Sequence, residues 1–401
     1  MDKSMQKQEQ FDFFSDQVKA IPPSAIRRFF DLANEMKGEV ISLSIGEPDF
    51  VTPWSVREAG IFSLEQGYTH YSPNQGYGEL RDAVASYMKR RFSVSYDPGT
   101  EILITVGGSE AIDLLARMLI NPGDEVVVVE PCFVAYKAAV LLAKGIPVSV
   151  PTRMENDFKV CAEDLEAAIT PRTKLVMIGY PNNPTGAVLS SRESEEIAEV
   201  FRRHPHVAVM SDELYAELYY GEGRYVSMAS FPDLRDRLIL VNGFSKAFAM
   251  TGWRIGFACG SPDFIGMMNK IHQYTIMSSP SAAQYAAIEA ALYGDREVEA
   301  MREEYNRRRR IVLEGVREAA LACFEPMGAF YVFPSIAGLG VDSEEFCERF
   351  LMEHKVAIVP GKAFGESGGD FVRISYAASP DDIREALYRL GIFIHQLKNE
   401  V

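Results

Sequence analysis

The sequence predicts an α/β protein with a large three-layer domain and a smaller α+β domain. Short apolar segments rich in Val and Ile alternate with longer helical patterns, the order of elements changes toward the carboxyl end, and 47% of the 401 residues are hydrophobic. Strands with little polar alternation are typical of a parallel sheet that is buried on both faces by helices.

Seven segments in the middle of the chain have this strand pattern and predict a mostly parallel, seven-stranded sheet. They are 101–106, 125–129, 147–150, 174–178, 207–210, 238–242 and 255–258. Helical patterns lie between several of them, for example at 111–119 and 191–203. We place the large domain at residues 46–290.

After about residue 290 the chain is mostly helical, with only two strand signals, at 329–333 and 371–376. One face of a long helix carries apolar residues: Met301, Tyr305, Val312 and Val316. The last helix is predicted to begin after Ser379, a good N-cap that precedes a proline and two acidic residues. Residues 291–401 therefore form the predicted small domain, and we expect residues 1–45 to pack on it or on a partner chain.

Charge and composition exclude several classes of function. The 41 Lys and Arg residues against 56 Asp and Glu give a net charge of −15, which argues against nucleic-acid binding. Four arginines at 307–310 are accordingly predicted to be the charged sides of a solvated helix. The cysteines and histidines are scattered, so we expect no disulfide framework and no metal site. No long apolar run predicts a membrane span, and we expect a cytoplasmic location.

Two charged residues at the ends of apolar strands are candidates for a functional role. Lys246 comes just past the strand at 238–242, where a buried amine can have a lowered pKa and act as a nucleophile. Arg254 follows eight residues later and could hold a phosphate. Asp212 ends another apolar strand, where a carboxylate is costly unless it is paired.

Three further motifs are informative: two could bind anions, and one is a loop of turn-forming residues. A strand, a Gly-Gly pair and a helix start at 105–112 could offer backbone amides to a phosphate. The loop Tyr-Pro-Asn-Asn-Pro-Thr-Gly at 180–186 contains Asn183, whose bond to Pro184 we predict to be cis. In the strand at 371–376, Arg373 lies on the face opposite the apolar residues and could grip a carboxylate with two hydrogen bonds.

Together with Ile-Ser-Leu-Ser-Ile-Gly-Glu-Pro-Asp-Phe at 41–50, the order and spacing of these motifs resemble the class I/II aminotransferases. These are pyridoxal 5'-phosphate (PLP) enzymes of fold type I. The motif sequences are most similar to those of the aromatic and N-acetyl-diaminopimelate-type members. The resemblance covers nearly the whole chain. It implies ping-pong transfer of the amino group of an L-amino acid, preferably aromatic, to 2-oxoglutarate, through PLP and pyridoxamine phosphate, in a homodimer with shared active sites.

The resemblance also implies roles for individual residues. The catalytic residues are Lys246, which forms a Schiff base with PLP and moves a proton, Asp212, which pairs with the pyridine nitrogen, and Tyr215. Contacts with the cofactor ring come from Phe133, which stacks on it, and from Asn183 and Tyr215, which bond to O3'. The phosphate is held by Gly108, Ser109, Glu110, Ser245, Arg254 and, from the neighbouring subunit, Tyr71. The substrate is bound by Gly46, Asn183 and Arg373, the last holding the α-carboxylate.

Alternatives stay open at this point. PLP-dependent carbon–sulfur lyases and related α,β-eliminating enzymes use the same fold and nearly the same residues. A regulator that only senses PLP or an amino acid is a third class, although the segment before residue 46 is short for a DNA-binding module and its linker. Aspartate, alanine and acetylated diaminopimelate remain open as donors.

Overall fold

The structure is a computed structural model that describes residues 13–22, 28, 31–32, 36 and 40–400. Its α-helices are α1 (Asp16–Lys19), α2 (Trp54–Glu65), α3 (Gly78–Phe92), α4 (Gly108–Leu119), α5 (Ala135–Leu142), α6 (Ala162–Ala168), α7 (Ser191–Arg203), α8 (Pro262–Thr275), α9 (Ser281–Tyr293), α10 (Asp295–Glu318), α11 (Ser343–His354) and α12 (Pro380–Glu400). Its strands are β1 (Ile41–Ser42), β2 (Ile102–Thr105), β3 (Glu125–Glu130), β4 (Ile146–Pro151), β5 (Thr173–Gly179), β6 (Ala208–Asp212), β7 (Leu238–Gly243), β8 (Gly256–Cys259), β9 (Tyr331–Val332), β10 (Val356–Ala357), β11 (Val359–Pro360) and β12 (Val372–Ser375).

The large sheet has seven strands in the order β2-β8-β7-β6-β5-β3-β4, and the seven predicted strands are confirmed. Strand β8 is antiparallel to its neighbours β2 and β7, whereas the other pairings of the sheet are parallel. The carboxyl ends of the remaining six strands therefore lie at one edge. Each strand differs from its predicted bounds by only one or two residues at either end.

Helices cover both faces of this sheet, as the apolar strand pattern predicts. Alternate residues of β3 enter two different cores: Val127 and Val129 pack in one, and Val126 and Val128 pack in the other. The first core includes residues of α3, α7 and α9, and the second includes residues of α4, α5 and α8. Because successive side chains of a strand point to opposite faces, both faces need apolar residues.

The carboxyl-terminal part of the chain has its own core around a small antiparallel sheet of order β11-β12-β9. Helices α10, α11 and α12 pack against this sheet, and β1 pairs in parallel with β10 through Ile41 and Val356. Helix α12 begins as predicted, because the Ser379 hydroxyl accepts the Asp382 backbone N–H at 3.1 Å. The division into residues 1–45, 46–290 and 291–401 stays a prediction, and most of the first segment lies outside the described residues.

The arginine run at 307–310 differs from the prediction of a solvated face. Arg307 and Arg310 are exposed, but Arg308 and Arg309 are only 5% and 6% exposed. Arg308 bonds to Asp49 and Glu304, each at 2.8 Å, and Arg309 bonds to Glu325 and to the Pro326 carbonyl oxygen. The prediction was wrong for these two residues because four consecutive positions span a full turn of a helix, so that some must face the core.

Candidate active site

A cleft opens at the sheet edge where the parallel strands end. Ligands of open α/β sheets bind at this edge. The cleft brings together most of the residues that the sequence predicts: Gly46, Gly108, Ser109, Phe133, Asn183, Asp212, Tyr215, Ser245, Lys246, Arg254 and Arg373. Asp212 is the last residue of β6, and Ser245 and Lys246 follow the end of β7, so the sheet itself sets their positions.

Lys246 presents its amine to the interior of the cleft. Its Nζ donates a hydrogen bond to the Gly46 carbonyl oxygen at 2.6 Å. Burial lowers the pKa of Lys246 to about 8, and the nearby Arg373 and Arg254 act in the same direction while Glu47 opposes them. About a tenth of this amine is therefore neutral at pH 7, far more than at the ordinary lysine pKa, and a nucleophile and a base require the neutral form.

The Asp212 carboxylate is almost fully buried and is held by neutral donors. The Tyr136 hydroxyl donates to Oδ2 at 2.7 Å, and the Leu214 backbone N–H donates to Oδ1 at 3.2 Å. Burial raises the pKa of Asp212, while these two hydrogen bonds oppose the shift. A buried carboxylate with such partners is suited to a cationic group in the cleft, because a nearby positive charge favours its ionised form.

Tyr215 lies three residues after Asp212 in sequence and lines the same cleft. Its hydroxyl is 2.7 Å from the hydroxyl of Tyr331, and its ring centroid is 5.9 Å from the Lys246 Nζ. Burial raises the pKa of the Tyr215 phenol. Tyr215 therefore stays protonated and can donate a hydrogen bond.

Arg373 is fixed on three sides. Its Nη1 donates to the Asn183 Oδ1 at 2.9 Å, its Nη2 donates to the Ser44 carbonyl oxygen at 2.6 Å, and its guanidinium lies between the rings of Tyr331 and Phe364. Its buried Nε has no hydrogen-bond partner among the described residues. Arg373 lines the cleft, so its guanidinium is placed to hold a carboxylate that enters it.

The predicted anion site lies at the turn between β2 and α4. Gly107 is the N-cap of α4 at a φ of 77°, and because it has no side chain the first N–H groups of the helix are not capped by it. A Cβ at Gly107 would lie 2.8 Å from Nη2 of Arg254, so the glycine lets the guanidinium approach the turn. Arg254 itself has a φ of 55° and donates to the Thr251 carbonyl oxygen at 2.8 Å.

Two predicted cofactor contacts do not line the cleft within the described chain. The Glu110 carboxylate is bonded to the Val106 N–H and to His272, so the expectation of a side-chain contact from Glu110 is not supported and only its backbone N–H remains. Tyr71 is 83% exposed on this single chain. Its predicted contact with the neighbouring subunit stays a prediction.

The sequence did not identify several residues that build the site. Tyr136 and Tyr331 each bond to a predicted catalytic residue, Phe364 covers the Arg373 guanidinium, and Ser44 contributes only its backbone oxygen. Tyr136 lies one helical turn after Phe133, which is a usable signal. The predicted cis bond between Asn183 and Pro184 is confirmed.

These groups fit PLP. The cleft offers an amine with a lowered pKa, a buried carboxylate without a cationic hydrogen-bond partner, and an uncapped helix start next to an arginine. Those are the groups that an aldehyde, a pyridinium nitrogen and a phosphate need.

Within the described ranges, no cluster of three or more His, Cys, Asp or Glu side chains is placed to hold a metal ion. None of the described helices combines the length and hydrophobicity that crossing a bilayer requires.

Comparison with known proteins agrees with this chemistry. The family model described as "Aminotransferase class I and II" matches residues 38–390. The putative aminotransferase YugH of Bacillus subtilis is 50% identical, over 96% of this chain and 99% of that protein. Among solved structures, the aromatic aminotransferase of Pyrococcus horikoshii superposes with a TM-score of 0.87 at 42% identity, covering 92% of this chain and 99% of that one.

The aspartate aminotransferase of Thermus thermophilus, solved with maleate, superposes with a TM-score of 0.90 at 39% identity, over 95% of this chain and 100% of that one. Identity at this level over nearly the full length of both chains shows a common family as well as a common fold. The chain therefore belongs to the class I and II aminotransferases and is a PLP-dependent transaminase of fold type I.

Proposed function

We propose that this transaminase takes the amino group from an aromatic L-amino acid and gives it to 2-oxoglutarate, with PLP bound at Lys246. The set of cationic side chains in the cleft carries the proposal. Among the described residues that line the cleft, this set consists of Lys246, Arg254 and Arg373.

Each of these cations has a task that leaves it unavailable to a substrate side chain. Arg254 lies against Gly107 of the turn that would hold the phosphate. Arg373 is the cation proposed to hold the α-carboxylate of the substrate, and the Lys246 amine is the reacting group. An aspartate donor, like 2-oxoglutarate, carries a second carboxylate for which no further cation lines the described walls of the cleft, whereas an aromatic donor carries none and needs no such cation.

The rest of the cleft suits an aromatic side chain. Its walls include several apolar or aromatic side chains: Ile112, Phe133, Leu214 and Tyr331. An aromatic side chain gains free energy from the area that it buries and from ring contacts, neither of which needs a charge. The likeness to the Pyrococcus horikoshii aromatic aminotransferase supports this donor class.

The chain's own residues supply the proton transfer and the orientation. PLP, when bound, supplies the electron sink and carries the amino group between the two half-reactions. Lys246 moves the proton at the substrate α-carbon, and Arg373 orients that carbon by holding the carboxylate. With PLP bound, Asp212 would hold the pyridine nitrogen in its protonated form, and Asn183 and Tyr215 would donate hydrogen bonds to the ring oxygen.

The acceptor is proposed on the family resemblance and on one relative. The Thermus thermophilus enzyme was solved with maleate, which has two carboxylates, as 2-oxoglutarate does. Because the three cations of this cleft are already assigned, the second carboxylate of the acceptor would be held by neutral donors or by the partner subunit.

A single half-reaction on the PLP-loaded protein tests the donor class. Phenylalanine, tyrosine, aspartate, alanine and N-acetyl-diaminopimelate are added one at a time, without an oxo acid. We expect phenylalanine and tyrosine to convert the absorbance of the cofactor to that of pyridoxamine phosphate at lower concentrations than aspartate does, and 2-oxoglutarate to reverse the change.

The matched control is Lys246→Ala, which keeps the cleft but lacks the amine and should convert no donor. Faster conversion by aspartate than by either aromatic donor would reject the proposed donor class. Failure of 2-oxoglutarate to restore the first spectrum, while another oxo acid succeeds, would reject the proposed acceptor.

A further inference from the structure

A glutamate–histidine pair connects the turn between β2 and α4 to helix α8. His272 is fully buried, and its Nδ1 lies 2.6 Å from the Glu110 Oε1. The other carboxylate oxygen, Oε2, accepts the backbone N–H of Val106 at 2.5 Å. One carboxylate therefore joins the first residue of the turn to the first turn of α4, and the histidine holds that carboxylate from behind.

The contacts of the imidazole show what it contributes. Nδ1 carries the proton in this contact, because it faces a carboxylate oxygen. The Nε2 atom is buried and has no partner among the described residues. A buried nitrogen without a partner costs free energy, so an aliphatic side chain would pack here at lower cost. The bond to Glu110 is what the imidazole adds at this position.

The segment that this bond holds is the one that lines the cleft. Gly108 and Ser109 lie on the cleft wall, between Val106 and Glu110 in sequence. The Thr105 hydroxyl also donates to the Gly107 carbonyl oxygen at 3.0 Å, which fixes the other side of the turn. Amides that bind a phosphate are effective when their directions are set before the ligand arrives, since no reorganisation is then needed.

Charge gives a second reason for the pair. A phosphate at the start of α4 would carry negative charge, and an unshared carboxylate three residues into the helix would repel it. Both oxygens of Glu110 accept hydrogen bonds from groups of the protein, and Glu110 does not line the cleft. The pair thus braces the turn while it keeps the carboxylate engaged behind it.

We propose that Glu110 and His272 form a positioning pair that holds residues 106–109 in the shape that receives the phosphate of the cofactor. The proposal rests on the cofactor site proposed above. The alternative is that the pair only fastens α8 to α4, in which case its loss would affect folding without regard to the phosphate.

The two roles are separated by comparing PLP with pyridoxal, which lacks the phosphate. Each aldehyde is titrated into the full-length, cofactor-free protein, and binding is followed by the absorbance of the bound cofactor. We expect His272→Leu to weaken the binding of PLP about tenfold, as for the loss of a buried hydrogen bond to a charged group, and to leave the binding of pyridoxal unchanged. His272→Asn keeps an N–H near the position of Nδ1 and should recover most of the affinity for PLP.

The matched control is His204→Leu. His204 makes the same kind of contact, with 2.6 Å between its Nε2 and Glu166, but on the outer surface at the end of α7. This variant should bind both aldehydes as the parent does. If His272→Leu does not fold, Glu110→Gln provides the same comparison.

Equal losses for PLP and pyridoxal, or no loss for either, would overturn the positioning role and leave the proposed cofactor site intact. A parent protein that binds neither aldehyde would instead overturn the cofactor site, and this inference with it.

Discussion

At the scale of single residues, the reactivity of Lys246 follows from its burial. Its pKa lies at about 8 instead of the ordinary 10.5, because the cleft removes water from the charged form. Only the neutral amine attacks an aldehyde, so the rate at which the cofactor-free protein captures PLP should rise about tenfold per pH unit below the pKa and level off above it. Rapid-mixing absorbance measurements across this range give the midpoint directly.

The variant Glu47→Gln tests whether the Glu47 carboxylate raises the pKa of Lys246. Glu47 raises the pKa of Lys246, so Glu47→Gln should move the midpoint of the capture rate to lower pH. A rate that continues to rise toward pH 10.5 in the parent would contradict the burial argument. An unchanged midpoint in Glu47→Gln would show that the Glu47 carboxylate does not affect the pKa of Lys246.

The residues that could be predicted from the sequence are those with a local motif. Lys246, Asp212 and Asn183 each lie at or shortly after the end of a buried strand, and parallel strands bring such ends together at one edge. Tyr331 and Ser44 have no such signal, because their contacts depend on how the carboxyl-terminal core meets the large sheet. The role of the Glu110 side chain was missed for the same reason, since its partner His272 is 162 residues away in sequence.

At the scale of elements, long buried strands were predictable, whereas the two-residue strands β1, β10 and β11 were not. The seven strands of the large sheet carry continuous Val and Ile patterns, which report burial on both faces. Strands β1, β10 and β11 have two residues each and no periodicity to detect. Their pairing is a consequence of tertiary packing, as in the contact of Ile41 with Val356.

Helix α10 gives a prediction about how the segment that contains Gly46 is held. The guanidinium of Arg308 bonds to Asp49 and Glu304 and lies 5.1 Å from the ring of Phe50. Removing one partner of a buried ion pair costs about 3 kcal/mol, so Arg308→Met should lower the thermal midpoint by several degrees. The Michaelis constant for the amino donor should also rise, because Asp49 lies three residues after Gly46.

Arg307→Met is the control for that experiment. Arg307 is the preceding residue of the same helix and bonds to the same Glu304 at 2.7 Å, but its side chain is exposed. Exposed ion pairs contribute about 0–1 kcal/mol, so this variant should melt close to the parent. Equal midpoints for the two variants would show that the buried contacts of Arg308 do not stabilise the fold.

At the scale of the whole molecule, the exposed apolar surface predicts a homodimer. Helix α2 and its neighbours leave large apolar or aromatic side chains exposed: Trp54, Ile61, Phe62, Leu64, Tyr68, Tyr71, Tyr274, Ile276 and Met277. Patches of this kind mark protein interfaces. We expect sedimentation velocity to give twice the mass of the chain, and Phe62→Glu to give a monomer. Ile392→Glu, at another exposed apolar position on α12, should stay dimeric.

Mixed dimers test whether each active site uses both chains. If Tyr71 serves the site of the partner subunit, a mixed dimer of Lys246→Ala and Tyr71→Ala carries both substitutions in the same site, and its other site is intact. After the inactive variants are mixed, dissociated and reassociated, about half of the dimers are mixed, so about a quarter of the parent activity should return. If Tyr71 served its own chain, each mixed dimer would contain one defective site of each kind, and no activity would return. Recovered activity would therefore establish both the dimer and the direction in which Tyr71 reaches, and an absence of recovery in a protein that sediments as a dimer would place Tyr71 in the site of its own chain.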